Sequence, residues 1–180
     1  ADASNTAVRA FLTQIGELYL QRNFNTGSGR AKKDWENIRD IIFEGRCAYC
    51  GAEDEKLQME HIIMFNRSEY GLHHPGNIIP VCKKCNSRSK REEDGAYCSW
   101  EEHLSNICER MDQKNEFYDR WKKIKKHITE GEYAYPDLSD EEEKAIQIIA
   151  NNLYEGIKNE FDNAIKLYKE LTQAFTHQKL

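Results

Sequence analysis

Two Cys-x-x-Cys pairs constrain this chain more than any other feature of its sequence. Cys47 and Cys50 form the first pair, Cys82 and Cys85 form the second, and thirty-one residues separate the pairs. A tight turn within each pair directs both sulfurs to one side, and two such turns supply the four thiolates of a tetrahedral structural zinc site. We therefore predict one structural Zn²⁺ on these cysteines, with redox-active or unrelated thiols as the alternative interpretation.

The other two cysteines, Cys98 and Cys108, have no partner at ligand spacing, and we expect them to be ordinary buried thiols. Unpaired cysteines and metal-ligand spacing are typical of a reducing compartment. No apolar run approaches the roughly 18 residues of a membrane-spanning helix, and the first residues lack a signal-peptide pattern. These features predict a cytoplasmic protein with no membrane partner.

The net charge of −5 is unevenly distributed along the chain. Residues 46–91 hold eight Lys or Arg and five Asp or Glu, whereas the remainder holds eighteen and twenty-six. The location of charge matters more than its sum for phosphate binding, so an acidic total does not exclude a nucleic-acid partner. The basic run after Cys82 includes Arg88, Lys90 and Arg91, and its alternative interpretation is a solvated surface.

Hydrophobic periodicity predicts helices on both sides of a central segment of short elements. A first helix is expected from about Ser4 to Gln21, and a second around Trp35 that ends at Gly45 in a left-handed conformation. The central segment alternates as strand 57–61, loop, strand 78–81 and a helix beginning near Cys82. The pattern predicts a mostly helical α+β chain divided into an N-terminal helical segment, a central core and a C-terminal helical region, at residues 1–45, 46–95 and 96–180.

A long helix is predicted after Ser139, because Ser139-Asp-Glu-Glu142 matches a capping box. Its apolar positions form one continuous stripe that runs for some thirty-five residues. Such a stripe predicts a homodimer joined through this helix, with packing against the first helix and the 117–128 helix as the alternative. The positions are Ile146, Leu153, Ile157, Phe161, Ile165, Tyr168, Leu171 and Phe175.

The segment between the cysteine pairs resembles the HNH endonuclease motif. Glu60 and His61 are followed by Asn77 after fifteen residues and by Asn86 after eight more. The connecting residues fit as well, since apolar positions follow Asn77 and a Cys-x-x-Cys pair leads directly into Asn86. The resemblance covers roughly residues 46–91 and implies a ββα-metal core that zinc stabilises because the motif is too small to have a large core of its own.

The resemblance implies a role for each matched residue. His61 is the general base, Asn77 fixes the loop that carries the base, and Glu60 with Asn86 binds a catalytic Mg²⁺ or Mn²⁺. Glu60 stands where Asp is commoner and Asn86 where His often stands, yet both offer oxygen atoms to a hard cation.

The implied activity is metal-dependent hydrolysis of DNA phosphodiester bonds that leaves 5′-phosphate and 3′-hydroxyl ends. Candidate DNA contacts are Arg88, Lys90, Arg91 and His74; His73 and His74 are otherwise spare ligands or loop-packing residues. The flanking helices favour a selective enzyme on double-stranded DNA, such as a restriction or phage-defence endonuclease. The alternatives are an inactive zinc-stabilised DNA-binding module and a homing, packaging or toxin nuclease.

Overall fold

The computed structural model describes residues 3–53 and 56–177, with side chains described up to residue 175. These residues form a mostly helical fold with one two-stranded antiparallel sheet, which confirms the predicted fold class. None of the described helices is long and apolar enough to cross a membrane. In chain order the elements are α1 (Ala3–Leu20), α2 (Gly29–Asn37), β1 (Gln58–His61), β2 (Ile78–Val81), α3 (Trp100–Arg110), α4 (Phe117–Thr129) and α5 (Asp140–His177).

The sheet lies at the centre of the larger hydrophobic core. In its register Glu60 faces Ile79 and His61 faces Ile78. All four residues of β2 are buried, because α2, α3 and α4 contribute side chains to the same core cluster. Both strands were predicted from sequence, and the predictions are confirmed.

The region after α2 contains a feature that the sequence predicted only in part. A single π-helical turn, Ile38–Ile42, extends α2 before the chain turns. Gly45 then has a φ of +66°, so the predicted left-handed helix end is confirmed.

Helices α1 and α5 pack against each other in a second hydrophobic cluster. Val8 and Leu12 of α1 meet Ile146 and Ala150 of α5, with Leu72 between them. The predicted capping box at the start of α5 is present, because Ser139 and Glu142 exchange hydrogen bonds of 2.8 and 3.3 Å. Residues 158–175 of α5, by contrast, are all exposed.

The helix predicted to begin near Cys82 is absent, and that prediction was wrong. Residues 82–99 form turns and a short hairpin closed by a bridge between Lys90 and Tyr97. The Arg91 N–H donates to the Ala96 carbonyl at 2.7 Å, and the Cys98 N–H donates to the Ser89 carbonyl at 3.0 Å. Because these backbone groups bond across the hairpin, they are not available for helical hydrogen bonds, and the next helix is α3.

Candidate active site and metal centre

The two Cys-x-x-Cys pairs meet at one point. All four sulfurs lie within 4.8 Å of one another, and all four residues are buried. The Sγ atoms of Cys50 and Cys82 are 3.8 Å apart, which equals the edge of about 3.8 Å expected for a tetrahedron with Zn–S bonds of about 2.3 Å. The donor set and spacing fit a structural zinc ion. Among the described residues, this is the one group of three or more Cys, His, Asp or Glu side chains close enough to share a metal.

The flanking helices hold the backbone of both cysteine turns. His103 of α3 places its Nε2 2.9 Å from the Cys85 carbonyl, and Arg120 of α4 donates from Nη1 to the Tyr49 carbonyl at 3.1 Å. The first turn also donates from the Ala48 N–H to the Pro80 carbonyl of β2 at 2.8 Å. The metal centre is thus tied to the sheet and to two helices, which sequence spacing alone did not reveal.

Asn77 is fully buried and immediately precedes β2. Its Oδ1 accepts from the Ile63 N–H at 2.7 Å, while its Nδ2 donates to the carbonyls of Ile63 and Leu72 at 2.9 and 2.8 Å. The side chain therefore links the segment after His61 to the end of the loop that leads into β2. This geometry fits the loop-fixing role that the resemblance implies.

His61 ends β1 beside a cleft of about 450 Å³. Its ring stacks on Phe65 with centroids 4.8 Å apart and an interplanar angle of 18°. Its Nε2 lies 3.0 Å from Nδ1 of His73. Burial, assisted by His73 and Arg88, lowers the pKa of His61 to about 3, so the imidazole is neutral at pH 7.

The cleft beside His61 also includes residues that the sequence did not mark as functional. The described lining comes from three parts of the chain: α1, the loop that follows it, and the segment around His61. The residues are Thr13, Glu17, Asn23, Phe24, Asn25, Thr26, His61, Phe65 and His73. The consecutive histidines 73 and 74 were the available sequence signal, but their order alone could not say which of them meets His61.

Glu60 lies on the other side of the strand end and forms an ion pair with Arg88. The Arg88 Nε donates to a Glu60 carboxylate oxygen at 3.0 Å. Burial raises the pKa of Glu60 above its ordinary value, and the Arg88 charge opposes that shift. The other carboxylate oxygen has no hydrogen-bond partner among the described residues.

Arg88 does not occupy the exposed position that was predicted for a DNA contact. Its side chain is only 1% exposed, and its Nη2 donates to the carbonyls of His61 and Ile62 at 2.6 Å each. Because a carboxylate and two carbonyls surround this guanidinium, it stabilises the strand end that carries His61. The expectation that Arg88 contacts phosphate is corrected accordingly.

His74 is also buried rather than exposed to a ligand. Its Nδ1 accepts from the Gly76 N–H at 3.1 Å, and its ring packs edge-on against Tyr135. These contacts make His74 a loop-packing residue, so its predicted DNA contact is corrected too.

Lys90 and Arg91 lie on the short hairpin after the second cysteine pair. The exposed Lys90 lies over the Tyr97 ring, with Nζ 5.3 Å from the ring centroid. Arg91 is partly exposed and pairs with Asp94 at 2.9 Å and with Glu102 at 3.4 Å. Both remain accessible to solvent, unlike Arg88.

Asn86 follows the second cysteine pair directly. Its Nδ2 donates to the Gln58 Oε1 at 2.8 Å, which leaves its carbonyl oxygen without a hydrogen-bond partner among the described residues. The free oxygens of Asn86 and Glu60 are hard donors of the kind that Mg²⁺ and Mn²⁺ accept. Asn86 contacts Gln58 at the start of β1, whereas Glu60 is the third residue of that strand.

Together, four clustered cysteines that fit a structural metal, a short sheet and a neutral histidine beside a cleft lie within one segment of the chain. Residues 47–92 match the family model described as HNH endonuclease, which covers 46 of the 180 residues. The chain therefore contains an HNH endonuclease domain, as the resemblance implied, and this domain indicates a nuclease. No curated protein and no solved structure was found to match the chain.

Proposed function

We propose that the protein is a metal-dependent HNH endonuclease that hydrolyses phosphodiester bonds in double-stranded DNA. The observation that carries this proposal is the position of His61 within the HNH domain, neutral and beside a cleft. A neutral imidazole carries the lone pair that a general base needs, and the burial that lowers the pKa of His61 makes it a weaker base than an ordinary histidine. The arrangement of Asn77, which bonds to the segment directly after His61, supports the same assignment.

In the proposed reaction, His61 removes a proton from a water molecule as the water oxygen bonds to the scissile phosphorus. The bond between phosphorus and the 3′ oxygen breaks, and that oxygen takes up a proton from solvent. The products are a 5′-phosphate and a 3′-hydroxyl. Arg88 and Asn77 hold the backbone from His61 to Ile63 and do not touch the reacting atoms.

We assign Glu60 and Asn86 as the residues that hold the catalytic Mg²⁺ or Mn²⁺. When bound, such a metal supplies charge neutralisation at the phosphate and at the leaving oxygen. Glu60 can keep its bond to Arg88 through one carboxylate oxygen and offer the other. Asn86 is held by Gln58 through its amide nitrogen, which directs its carbonyl oxygen away from that contact.

Lys90 and Arg91 are the proposed phosphate contacts outside the cleft. Phosphate contacts fix the register of a protein on a duplex without reading sequence. Lys90 carries no ion pair among the described residues, whereas Arg91 is shared between two carboxylates. Lys90 should therefore contribute more to DNA affinity than Arg91.

We further propose a restriction or phage-defence role for a cytoplasmic homodimer. The homodimer is supported by the single proposed base in each HNH domain, since a twofold pair is the simplest way to cut both strands. The three segments 1–45, 46–95 and 96–180 are proposed to act together, with the HNH segment performing the chemistry and the flanking helices selecting the target.

The first experiment compares the wild-type protein with His61→Ala on linear and supercoiled DNA in Mg²⁺ or EDTA. The variant should lose on the order of 10²- to 10⁴-fold in cleavage rate, the usual contribution of a general base, with unchanged DNA affinity. Thr129→Ala, an exposed change on α4, is the control and should cut normally. Full cleavage by His61→Ala, or cleavage by the wild type in EDTA, would refute the proposal.

A second experiment addresses the biological role by using unmodified and cytosine-modified phage and plasmid DNA. Sequencing the ends distinguishes site-specific cutting from nonspecific digestion. Discrete bands that depend on Mg²⁺ and on the modification state support a restriction role. A uniform smear on every substrate would favour a less selective nuclease instead.

A further inference from the structure

His73 contacts His61, the proposed base, and also packs against Phe24 in the loop after α1. Its Nδ1 is 3.0 Å from Nε2 of His61, and aromatic rings flank it on two sides. The Phe24 ring centroid lies 4.9 Å from that of His73, and the Phe65 centroid lies 5.5 Å from it. His73 is thus held by packing, and one of its two ring nitrogens is directed at the base.

The backbone of Phe24 provides a second anchor for His73. Burial lowers the pKa of His73, and a hydrogen bond with the Phe24 backbone opposes that shift. Phe24 is itself fixed, because its N–H donates to the Glu17 carboxylate of α1 at 2.9 Å.

Helix α1 approaches the His73 backbone unusually closely. A Cβ atom on Gly16 would lie 2.4 Å from the His73 carbonyl oxygen, so only glycine permits this distance. Gly16 and Glu17 therefore fix His73 from two directions, the first by direct contact and the second through Phe24.

A neutral imidazole carries one N–H and one lone pair, so the contacts of His73 determine the tautomer of His61. Of the two ring nitrogens of His61, Nε2 is the one in contact with His73, and Nδ1 has no hydrogen-bond partner among the described residues. A general base needs a lone pair that water can reach, so the basic nitrogen of His61 is Nδ1. The hydrogen between the two rings then belongs to Nε2 of His61.

We infer that His73 is the positioning residue of the general base: it accepts the Nε2–H of His61 and leaves Nδ1 of His61 as the basic nitrogen. This inference rests on the proposed function, because it assigns a tautomer to the proposed base. Helix α1 thereby becomes part of the nuclease machinery, although it lies outside the matched HNH residues.

Two substitutions separate the hydrogen bond from the packing. His73→Phe keeps an aromatic ring between Phe24 and Phe65 but removes the acceptor. His73→Asn places an amide oxygen near the position of Nδ1 and so retains an acceptor for His61. Both variants should retain zinc and bind DNA as the wild type does.

The direct readout is the tautomer of His61, measured by long-range ¹H–¹⁵N NMR on histidine-labelled protein. His61→Ala identifies the His61 resonances by their loss. The wild type and His73→Asn should have the proton on Nε2, whereas His73→Phe should shift the population toward the Nδ1–H form. A wild-type proton on Nδ1, or an unchanged tautomer in His73→Phe, would overturn the inference even if no DNA is cut.

The second readout is the kinetics of DNA cleavage. His73→Phe should lower kcat by roughly 10- to 100-fold with little change in KM, as expected when an orienting partner is lost. His73→Asn should recover most of the rate. Equal losses in both variants, with His61 in its wild-type tautomer, would make His73 a packing residue only. A wild-type protein without nuclease activity would refute the proposed function and leave the tautomer measurement to decide this inference.

Discussion

Asn77 shows how a single buried side chain can organise the loop around a base. Its amide satisfies one N–H and two carbonyls, all within a buried or partly buried region. Asn77→Ala would leave these groups without partners, at a cost of about 1–3 kcal/mol for each one that water cannot reach. We expect a loss of about 3 kcal/mol in unfolding free energy, measured by urea denaturation.

The matched control for this prediction is Asn66→Ala in the same loop. The Asn66 side chain accepts one hydrogen bond, from the Ser68 N–H at 2.7 Å, near the surface. Water can replace that bond, so the loss should be about 1 kcal/mol or less. Equal losses in the two variants would contradict the organising role of Asn77.

The family resemblance grouped Glu60, His61, Asn77 and Asn86 in one site. His61 and Asn77 do lie at one end of the sheet, where His61 pairs with Ile78, whereas Asn86 bonds to Gln58 at the other end of β1. The sequence could not predict the partners of Arg88. The guanidinium is long and flexible, and it turned inward because three oxygen acceptors lay within its reach. The direction of the Arg88 side chain depends on acceptors that only the folded chain brings together. Arg88 is therefore buried whereas Lys90, in the same basic run, is exposed.

At the scale of elements, the two cysteine turns are short and bring four sulfurs together, so we expect them to depend on a bound zinc ion. A domain this small gains much of its folding free energy from zinc, with apparent values of about 10–16 kcal/mol for isolated zinc-finger peptides. We expect one zinc ion per chain by elemental analysis. Cys82→Ser should lose the metal and fail to unfold cooperatively, because the ligand set is then incomplete.

Cys98→Ser is the control for the zinc prediction. Cys98 is buried like the ligands, but its Sγ contacts the Ser89 hydroxyl at 3.5 Å rather than the cysteine cluster. This variant should retain zinc and melt close to the wild type. Zinc-free wild-type protein with an unchanged melting transition would refute the structural role of the metal.

Two glycines within helices allow a test of how α1 docks. Alanine is about 1 kcal/mol more favourable than glycine in a helix interior, so helix propensity alone predicts a gain at both. Gly156→Ala should show that gain, because nothing lies within 4 Å of its added Cβ. Gly16→Ala should instead lose about 1–3 kcal/mol and cleave DNA more slowly, because its Cβ would displace the His73 backbone. Thermal unfolding of both variants measures these changes in stability. A Gly16→Ala variant that is more stable than the wild type would contradict the close approach of α1 to His73.

A helix was predicted to begin near Cys82, but residues 82–99 form turns and a hairpin. This region lies between the sheet and α5, which were predicted correctly. Polar and charged residues dominate 86–95, so hydrophobic periodicity carried little information there. The chain pattern and the family resemblance both predicted a helix at that place, whereas the hairpin bonds around Lys90 and Tyr97 belong to a different backbone. By contrast, α5 was predicted nearly to its ends because its stripe and capping box are strong local signals.

At the scale of the whole molecule, the flanking helices and the HNH segment share one core. The larger cluster contains Phe24 and Trp35 from the N-terminal side, Ile78 and Ile79 from the sheet, and residues as far as Tyr133. The matched HNH residues therefore depend on the rest of the chain for their burial. This arrangement explains why substitutions in α1, remote in sequence from His61, are expected to change cleavage.

The outer part of α5 is the largest feature that the fold leaves uncovered. Its apolar residues Phe161, Tyr168 and Phe175 are between 57% and 69% exposed, although the same helix packs on α1 near its start. From Ile157 onward, apolar residues recur at alternating steps of four and three, the spacing of a coiled-coil seam. The members of this seam are Ile157, Phe161, Ala164, Tyr168, Leu171 and Phe175.

We propose that a second copy of the same chain covers this seam, because two such helices would cover each other's apolar faces and place two HNH domains on one duplex. We therefore expect light scattering to give twice the mass of one chain. Tyr168→Glu should shift the equilibrium toward the monomer and favour nicking over double-strand cutting, because a charge in the seam would be desolvated without a partner. Asn163→Glu, an equally exposed change away from the seam, is the matched control and should remain dimeric. A single-chain mass for the wild type at every concentration, with and without DNA, would exclude the homodimer and make sequential nicking the expected mode of cutting.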